Sequence, residues 1–263
     1  MSLSTGNDGS TIQALADPRA VLVSALLGTA ICLAGAAQVA RHATEEIAMS
    51  LPRTRQLIAE EKPVRVVLYG DSISEVKSGW NGGASTPERN WGAVLVRRLA
   101  DAYPESAFSV HHFAIGGQNS YEGLGRLNWL EPFKPDLVLV AFGANDCAHH
   151  FLQPEQTKLA LSKLVAGIRE RFQADVVLVS TGGDNPRKPF FRHLEETVEA
   201  QRQAAAEAKV PFVDMRAAIL AATENGTRWA EFHFNEENCH PTDQGHVVWA
   251  ETALAVIQAS FDH

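Results

Sequence analysis

Four short strings in this chain contain the groups that acyl transfer at an ester requires. They occur in the order Gly70-Asp71-Ser72-Ile73, Gly116-Gly117, Gly143-Ala144-Asn145-Asp146 and Glu237-Asn238-Cys239-His240-Pro241. Ser72 brings a hydroxyl nucleophile and His240 an imidazole base. Glu237, three residues upstream of His240, could accept from Nδ1–H, fixing the tautomer and stabilising the imidazolium. Gly117 offers an unhindered backbone N–H, Asn145 an uncharged NH₂ and Ser72 its own amide, the kinds of donor that hold a developing oxyanion. Asp71 and Asp146 stand beside these groups as supporting residues, Asp146 to orient the Asn145 loop. Each string alone has a plainer explanation. Gly-Asp-Ser is a common loop tripeptide, a glycine pair serves any turn, and His-Pro often caps a helix. Ser74 is a weaker rival nucleophile, and Glu236 and Asp243 are rival carboxylates. His111-His112 and His149-His150 mimic metal-ligand pairs, but no carboxylate or cysteine set completes a site.

Positioning four separated strings at one place is the work of the secondary structure. Val64–Tyr69, Phe108–Ile115, Leu137–Phe142, Asp175–Ser180 and Pro211–Val213 read as strands. Trp91–Tyr103, Tyr121–Leu130, Glu155–Phe172, Arg192–Ala208 and Asp243–Ala259 read as helices, the third with Leu159, Leu161, Leu164 and Ile168 inward. Alternating strands and helices imply a parallel sheet covered on both faces. Ligands in such folds sit at the carboxyl ends of the strands. Ser72, Gly117 and Asn145 each fall just after a predicted strand.

The bulk properties are compatible with this and exclude some alternatives. A chain of 263 residues holds one sizeable α/β domain plus an extension. Its formal charge of −8 disfavours a polyanionic nucleic-acid partner. Residues 1–10 are polar and read as disordered. Residues 20–40 carry no charge and are Ala/Leu/Val-rich, which suits a secretory signal, a membrane anchor or a buried Ala-rich helix. The first two readings predict an exported or membrane-anchored protein, the third leaves a cytoplasmic one open. Residues 41–62 read as a charged exposed helix or linker broken near Pro52, so that an extension of 1–62 precedes a catalytic domain of 63–263. Cys147 and Cys239, close in sequence to Asn145 and His240, could bridge or could be two unrelated thiols.

Taken jointly, the four strings resemble the SGNH hydrolases, also called the GDSL esterase/lipase family, from about Val64 to Phe261. The family's Ser, Gly, Asn and His correspond to Ser72, Gly117, Asn145 and His240. The resemblance implies a flavodoxin-like three-layer α/β/α sandwich with a five-stranded parallel sheet, no metal, no organic cofactor, and a Ser–His–acid mechanism through an acyl-enzyme. Three departures stand out. The family's acid is usually Asp three before the His, and here it is Glu237, so the loop must shift or His240 must work as a dyad with a backbone carbonyl. The second block usually begins with Asn, whereas His112 stands there. The first 62 residues receive nothing from the resemblance.

These expectations combine into a serine esterase acting on short acyl groups, acetyl above all, of a carbohydrate or similar alcohol. A lysophospholipase or arylesterase, or an acyltransferase placing acetyl on an envelope glycan, would use the same residues. A non-catalytic glycan-binding domain would not need the complete Ser/His/Asn set. The insertion Glu75–Asn90, with Trp80 beside Gly82-Gly83, and the loop Gly182–Pro189 could wall a sugar site or be plain loops.

Overall fold

Three strand segments are apolar along nearly their whole length, which is the pattern of strands covered on both faces. They are β1 (Val64–Gly70), β3 (Leu137–Ala141) and β4 (Asp175–Val179). With β2 (Phe108–Ala114) and the two-residue β5 (Phe212–Val213) they form one five-stranded parallel sheet in the order β2-β1-β3-β4-β5. A computed structural model of the chain describes residues 51–76, 86, 88–149, 152–224 and 226–261. The apolar run 20–40, the Trp80 insertion and His150 lie outside these residues. Among the described residues, no helix is long and apolar enough to cross a membrane.

Successive residues of a strand point to opposite faces, and here both faces are packed. Val64, Val66, Leu68, Leu137, Leu139, Val177 and Val179 face one layer. That layer is built from α2 (Trp91–Ala102), α7 (Met215–Thr223) and α9 (Asp243–Ala259), with Trp91 and Trp249 fully buried at its centre. Val67, Tyr69, Val138, Val140, Val176 and Leu178 face the other layer. There they meet α5 (Pro154–Phe172), α6 (Leu194–Ala208) and the 3₁₀ helix Leu127–Phe133. The result is the expected three-layer α/β/α sandwich.

The register decides where the loops emerge. Gly70 at the end of β1 pairs with Ala114 of β2 and with Ala141 of β3. The three strands therefore end level, and the segments carrying Ser72, Gly117 and Asn145 leave the sheet at one edge.

Several elements differ from the sequence reading. Pro52–Ala59 is a helix, α1, with Pro52 in its first turn rather than a break. It is docked on the sheet: Leu51 and Thr54 are buried, the Arg53 guanidinium donates to Asp136 Oδ1 at 2.6 Å, and Thr54 N donates to Asp175 Oδ2 at 2.7 Å. The packed unit thus begins before the Pro63 boundary. The helix expected over 121–130 is divided into α3 (Ser120–Gly125) and the 3₁₀ helix. Asn119 and Glu122 form a capping box that starts α3 one turn before two glycines weaken it. Leu159 on α5 faces solvent, 47% exposed, instead of inward. The short α4 (Ala144–Ala148), α7 and α8 (Trp229–Phe232) had no expected counterpart.

Candidate active site

The nucleophile turn begins where β1 runs out. At Gly70 a side chain is sterically excluded, since a Cβ would sit 2.5 Å from the Ala141 carbonyl oxygen. Asp71 then folds the chain back. Its carbonyl accepts from Ser74 N at 3.1 Å and Glu75 N at 3.0 Å, and its Oδ1 accepts from Ile73 N at 3.1 Å. Ser72 projects half-buried from this turn. Ser74 does not compete for the role, because it is fully buried and its hydroxyl accepts from Trp91 Nε1 at 3.2 Å.

Burial lifts the Asp71 carboxyl to about 7, partly offset by the Ile73 N–H. Its folded value is above its unfolded one, so between about pH 4 and pH 7 the native state holds a proton that the unfolded chain has released. Stability must then fall as pH rises through that window. The Asp71→Asn variant keeps a carbonyl oxygen for Ile73 N and lacks the carboxyl. Urea denaturation is expected to show it gaining on wild type by about 2.5 kcal/mol between pH 5 and pH 8. Parallel pH dependences for the two proteins would refute this.

Gly117 follows β2 with φ +81°, a left-handed conformation that favours glycine, and the space a side chain would fill is open. Asn145 lies at the start of α4 and is 5% exposed. Its Nδ2 donates to the Gln118 carbonyl at 3.0 Å, and because an NH₂ carries two hydrogens a second donor remains. Asp146 anchors this segment from beneath. It accepts from Ser120 N at 3.1 Å, Ser120 Oγ at 2.5 Å and Thr157 Oγ1 at 3.0 Å. Burial raises its carboxyl and these bonds oppose the rise.

A residue not singled out from sequence, Arg126, ties these loops together. It is 4% exposed and donates to Gln118 Oε1 at 2.5 Å, the Phe113 carbonyl at 3.1 Å and the Gly70 carbonyl at 3.0 Å. Its guanidinium lies 4.5 Å from the Tyr69 ring centroid. One buried cation thus joins the ends of β1 and β2 to the loop that holds Asn145. A basic residue in the turn between α3 and the 3₁₀ helix gives no local signal of this, since its partners come from three other segments.

His240 reaches the site from the far end of the chain. Phe234 N donates to the His240 carbonyl at 3.1 Å, Thr242 N donates to the Phe232 carbonyl at 2.9 Å, and Thr242 caps α9. This pins the segment between α8 and α9. His240 Nε2 lies 2.9 Å from Ser72 Oγ across 168 residues of sequence. Burial pulls the imidazole down to about 4, with His149 adding to the effect.

The carboxylate does not follow the sequence reading. Glu237 turns to solvent with its side chain 72% exposed, in an ion pair with Lys188 at 2.9 Å, and that pair holds its carboxyl below the usual range. The oxygen beside His240 Nδ1 belongs to Asn238, at 2.8 Å. Asn238 Oδ1 also accepts from His240 N at 2.7 Å, an Asx turn two residues ahead of the histidine. Of the rivals, Glu236 accepts from Ala230 N and Asn185 Nδ2, and Asp243 pairs with Arg89. The Asx turn was the missed signal, because it places an Asn oxygen next to residue i+2.

The remaining candidates are placed elsewhere. His111 packs against Phe133, and burial lowers the proton affinity of His112. Among the described residues no group of three or more His, Cys, Asp or Glu could hold a metal. Cys147 and Cys239 are both free.

A sheet of this topology with a serine–imidazole pair at its carboxyl edge defines an α/β/α ester hydrolase. The model of the GDSL-like lipase/acylhydrolase family matches residues 68–248, and the chain belongs to that family. Similar solved structures share its fold. TesA is 25% identical with a TM-score of 0.58, the match covering 74% of this chain and 99% of that one. Axe2, an acetylxylan esterase from Geobacillus stearothermophilus, is 22% identical with a TM-score of 0.60, covering 74% and 94%. A two-domain esterase (CEX) active on acetylated mannans is 20% identical with a TM-score of 0.64, covering 81% of this chain and 54% of that one. Among curated proteins none matches the sequence.

Proposed function

We propose that the chain is a serine esterase that removes short acyl groups, acetyl above all, from a carbohydrate or similar alcohol by way of an acyl-enzyme. The observation that carries this reading is the 2.9 Å approach of His240 Nε2 to Ser72 Oγ, within the range in which an imidazole takes a hydroxyl proton. Ser72 Oγ attacks the ester carbonyl as His240 Nε2 accepts its proton. The Gly117 and Ser72 amides and the Asn145 NH₂ receive the negative charge on the carbonyl oxygen. Collapse of the tetrahedral adduct expels the alcohol, which takes the proton from His240. Water then repeats the sequence and releases the carboxylic acid and free Ser72.

The flanking loops favour a polar alcohol. Asn185 Nδ2 donates to the Glu236 carbonyl at 2.9 Å, and Lys188 pairs with Glu237, so the loop after β4 is tied to the segment carrying His240. Exposed Phe190 and Phe234 stand on these two segments among charged neighbours. Aromatic faces beside hydrogen-bonding groups suit a sugar better than a lipid chain. The fold is also shared with esterases described as acting on acetylated xylan and mannans. The test is hydrolysis of nitrophenyl esters of increasing chain length together with acetylated xylo- and manno-oligosaccharides. A rate falling at least about tenfold beyond butyrate, with acetate released from an oligosaccharide, is expected; one missing methylene changes such rates by roughly 10–200-fold. Rates that climb with chain length, or faster cleavage of lysophospholipid, would replace this reading.

A further inference from the structure

The esterase reading of Ser72 and His240 leaves open what sets the imidazole, since Glu237, the carboxylate the sequence suggested, is turned to Lys188. The atom there is Asn238 Oδ1, 2.8 Å from Nδ1 and 2.7 Å from the backbone nitrogen of His240. A backbone N–H can only donate, so the Asn238 atom facing it must be the carbonyl oxygen and not the NH₂. Turning the amide over would set two donors against each other in a half-buried site, leaving both unsatisfied. The amide is therefore locked by a main-chain group.

That lock has a consequence for the ring. An amide oxygen only accepts, so its 2.8 Å contact with Nδ1 is a hydrogen bond only when Nδ1 carries the hydrogen. In the neutral ring Nε2 then has the free lone pair, and it is Nε2 that lies 2.9 Å from Ser72 Oγ. We propose that Asn238 is the positioning residue of the base, a neutral amide whose orientation is fixed by the His240 backbone N–H and which thereby selects the Nδ1–H tautomer that can deprotonate Ser72. In serine proteases, replacing the triad Asp by Asn enforces the wrong tautomer and costs about 10⁴ in kcat. The Asx turn removes that hazard here.

Further contacts hold Asn238 in place. Its carbonyl accepts from Trp229 Nε1 at 2.7 Å, and its N–H donates to the Asn235 carbonyl at 3.3 Å. Cys239 Sγ lies 3.9 Å from Nδ1, a much longer approach than the amide oxygen makes. His149, His233 and His246 also couple to the ring. A neutral amide orients the imidazole but does little to hold the imidazolium, in keeping with a ring whose proton affinity burial has reduced.

The test uses the full chain and begins without substrate. Long-range ¹H–¹⁵N spectra, with the His240 ring assigned by its loss in His240→Gln, are expected to show the Nδ1–H tautomer near pH 7. A predominant Nε2–H form would overturn the proposal. Asn238→Asp puts a charge in the same place, and is expected to raise the His240 titration midpoint by roughly 1–3 pH units while keeping kcat within about tenfold of wild type. Asn238→Leu, of similar size with no acceptor, is expected to lower kcat by roughly 10²–10⁴-fold with KM changed less than about threefold. Glu237→Gln serves as the control and is expected to change neither. A midpoint unmoved in Asn238→Asp would overturn the proposal even if Asn238→Leu fails to fold, because it would put the side chain of residue 238 out of reach of Nδ1. A wild type that cleaves no ester would defeat the esterase reading, and the tautomer and titration would still judge Asn238.

Discussion

Ser72→Ala is expected to abolish ester hydrolysis, with kcat reduced by at least about 10⁴-fold, and to abolish covalent labelling by a fluorophosphonate. The physical reason is that Ser74, the rival hydroxyl in the same turn, cannot take its place. Ser74, two residues on, is fully buried, hydrogen-bonded by Trp91 Nε1, and held within the turn that Asp71 closes. The fold should persist, because Ser72 is half-buried and the turn is made by main-chain bonds to Asp71 that alanine retains. The check pairs labelling with a thermal denaturation curve. Labelling that survives in a variant with a wild-type transition would remove Ser72 as nucleophile.

His240→Ala is expected to cost nearly as much as Ser72→Ala, and the double variant no more than either alone. Groups that act as one unit fail as one unit: without the base the hydroxyl is not activated, and without the hydroxyl the base has no proton to take. Only the oxyanion donors and ground-state binding then remain, which leaves a residual rate above that of water. Measuring kcat/KM for the two single variants and the double variant on one nitrophenyl ester decides the matter. Losses that multiply in the double variant would mean that the 2.9 Å approach of Nε2 to Oγ is not a catalytic couple.

The two variants probe parts of the site that were unequally legible in the amino-acid sequence. The layered fold was readable because strands buried on both faces must be apolar throughout, as in Leu137–Ala141, while helices covering one face need only a stripe. Ser72, Gly117 and Asn145 were readable for a related reason. Each lies a few residues beyond a recognisable strand, and parallel strands must deliver their ends to one edge. Docking of α1 was missed because Arg53 and Thr54 find their acidic partners, Asp136 and Asp175, 83 and 121 residues away. Nothing in the local pattern of a charged segment distinguishes such pairing from solvation.

The sequence by itself determined which chemistry is available: a hydroxyl, an imidazole, oxyanion donors, and the sheet edge at which they collect. Residue type and strand periodicity are local properties, and these features depend on little else. Only the tertiary structure decided which oxygen meets the imidazole. Glu237 and Asn238 are adjacent, and either type could orient a histidine. The choice falls to backbone geometry, since the Asx turn folds the Asn238 amide onto the main chain and ring of His240. Glu237 is left facing Lys188 on the loop after β4. One residue of offset in a turn reverses the direction of a side chain, and the local Asx turn is held in that arrangement by Trp229 on the Asn238 carbonyl and Lys188 on Glu237, contacts that no spacing encodes.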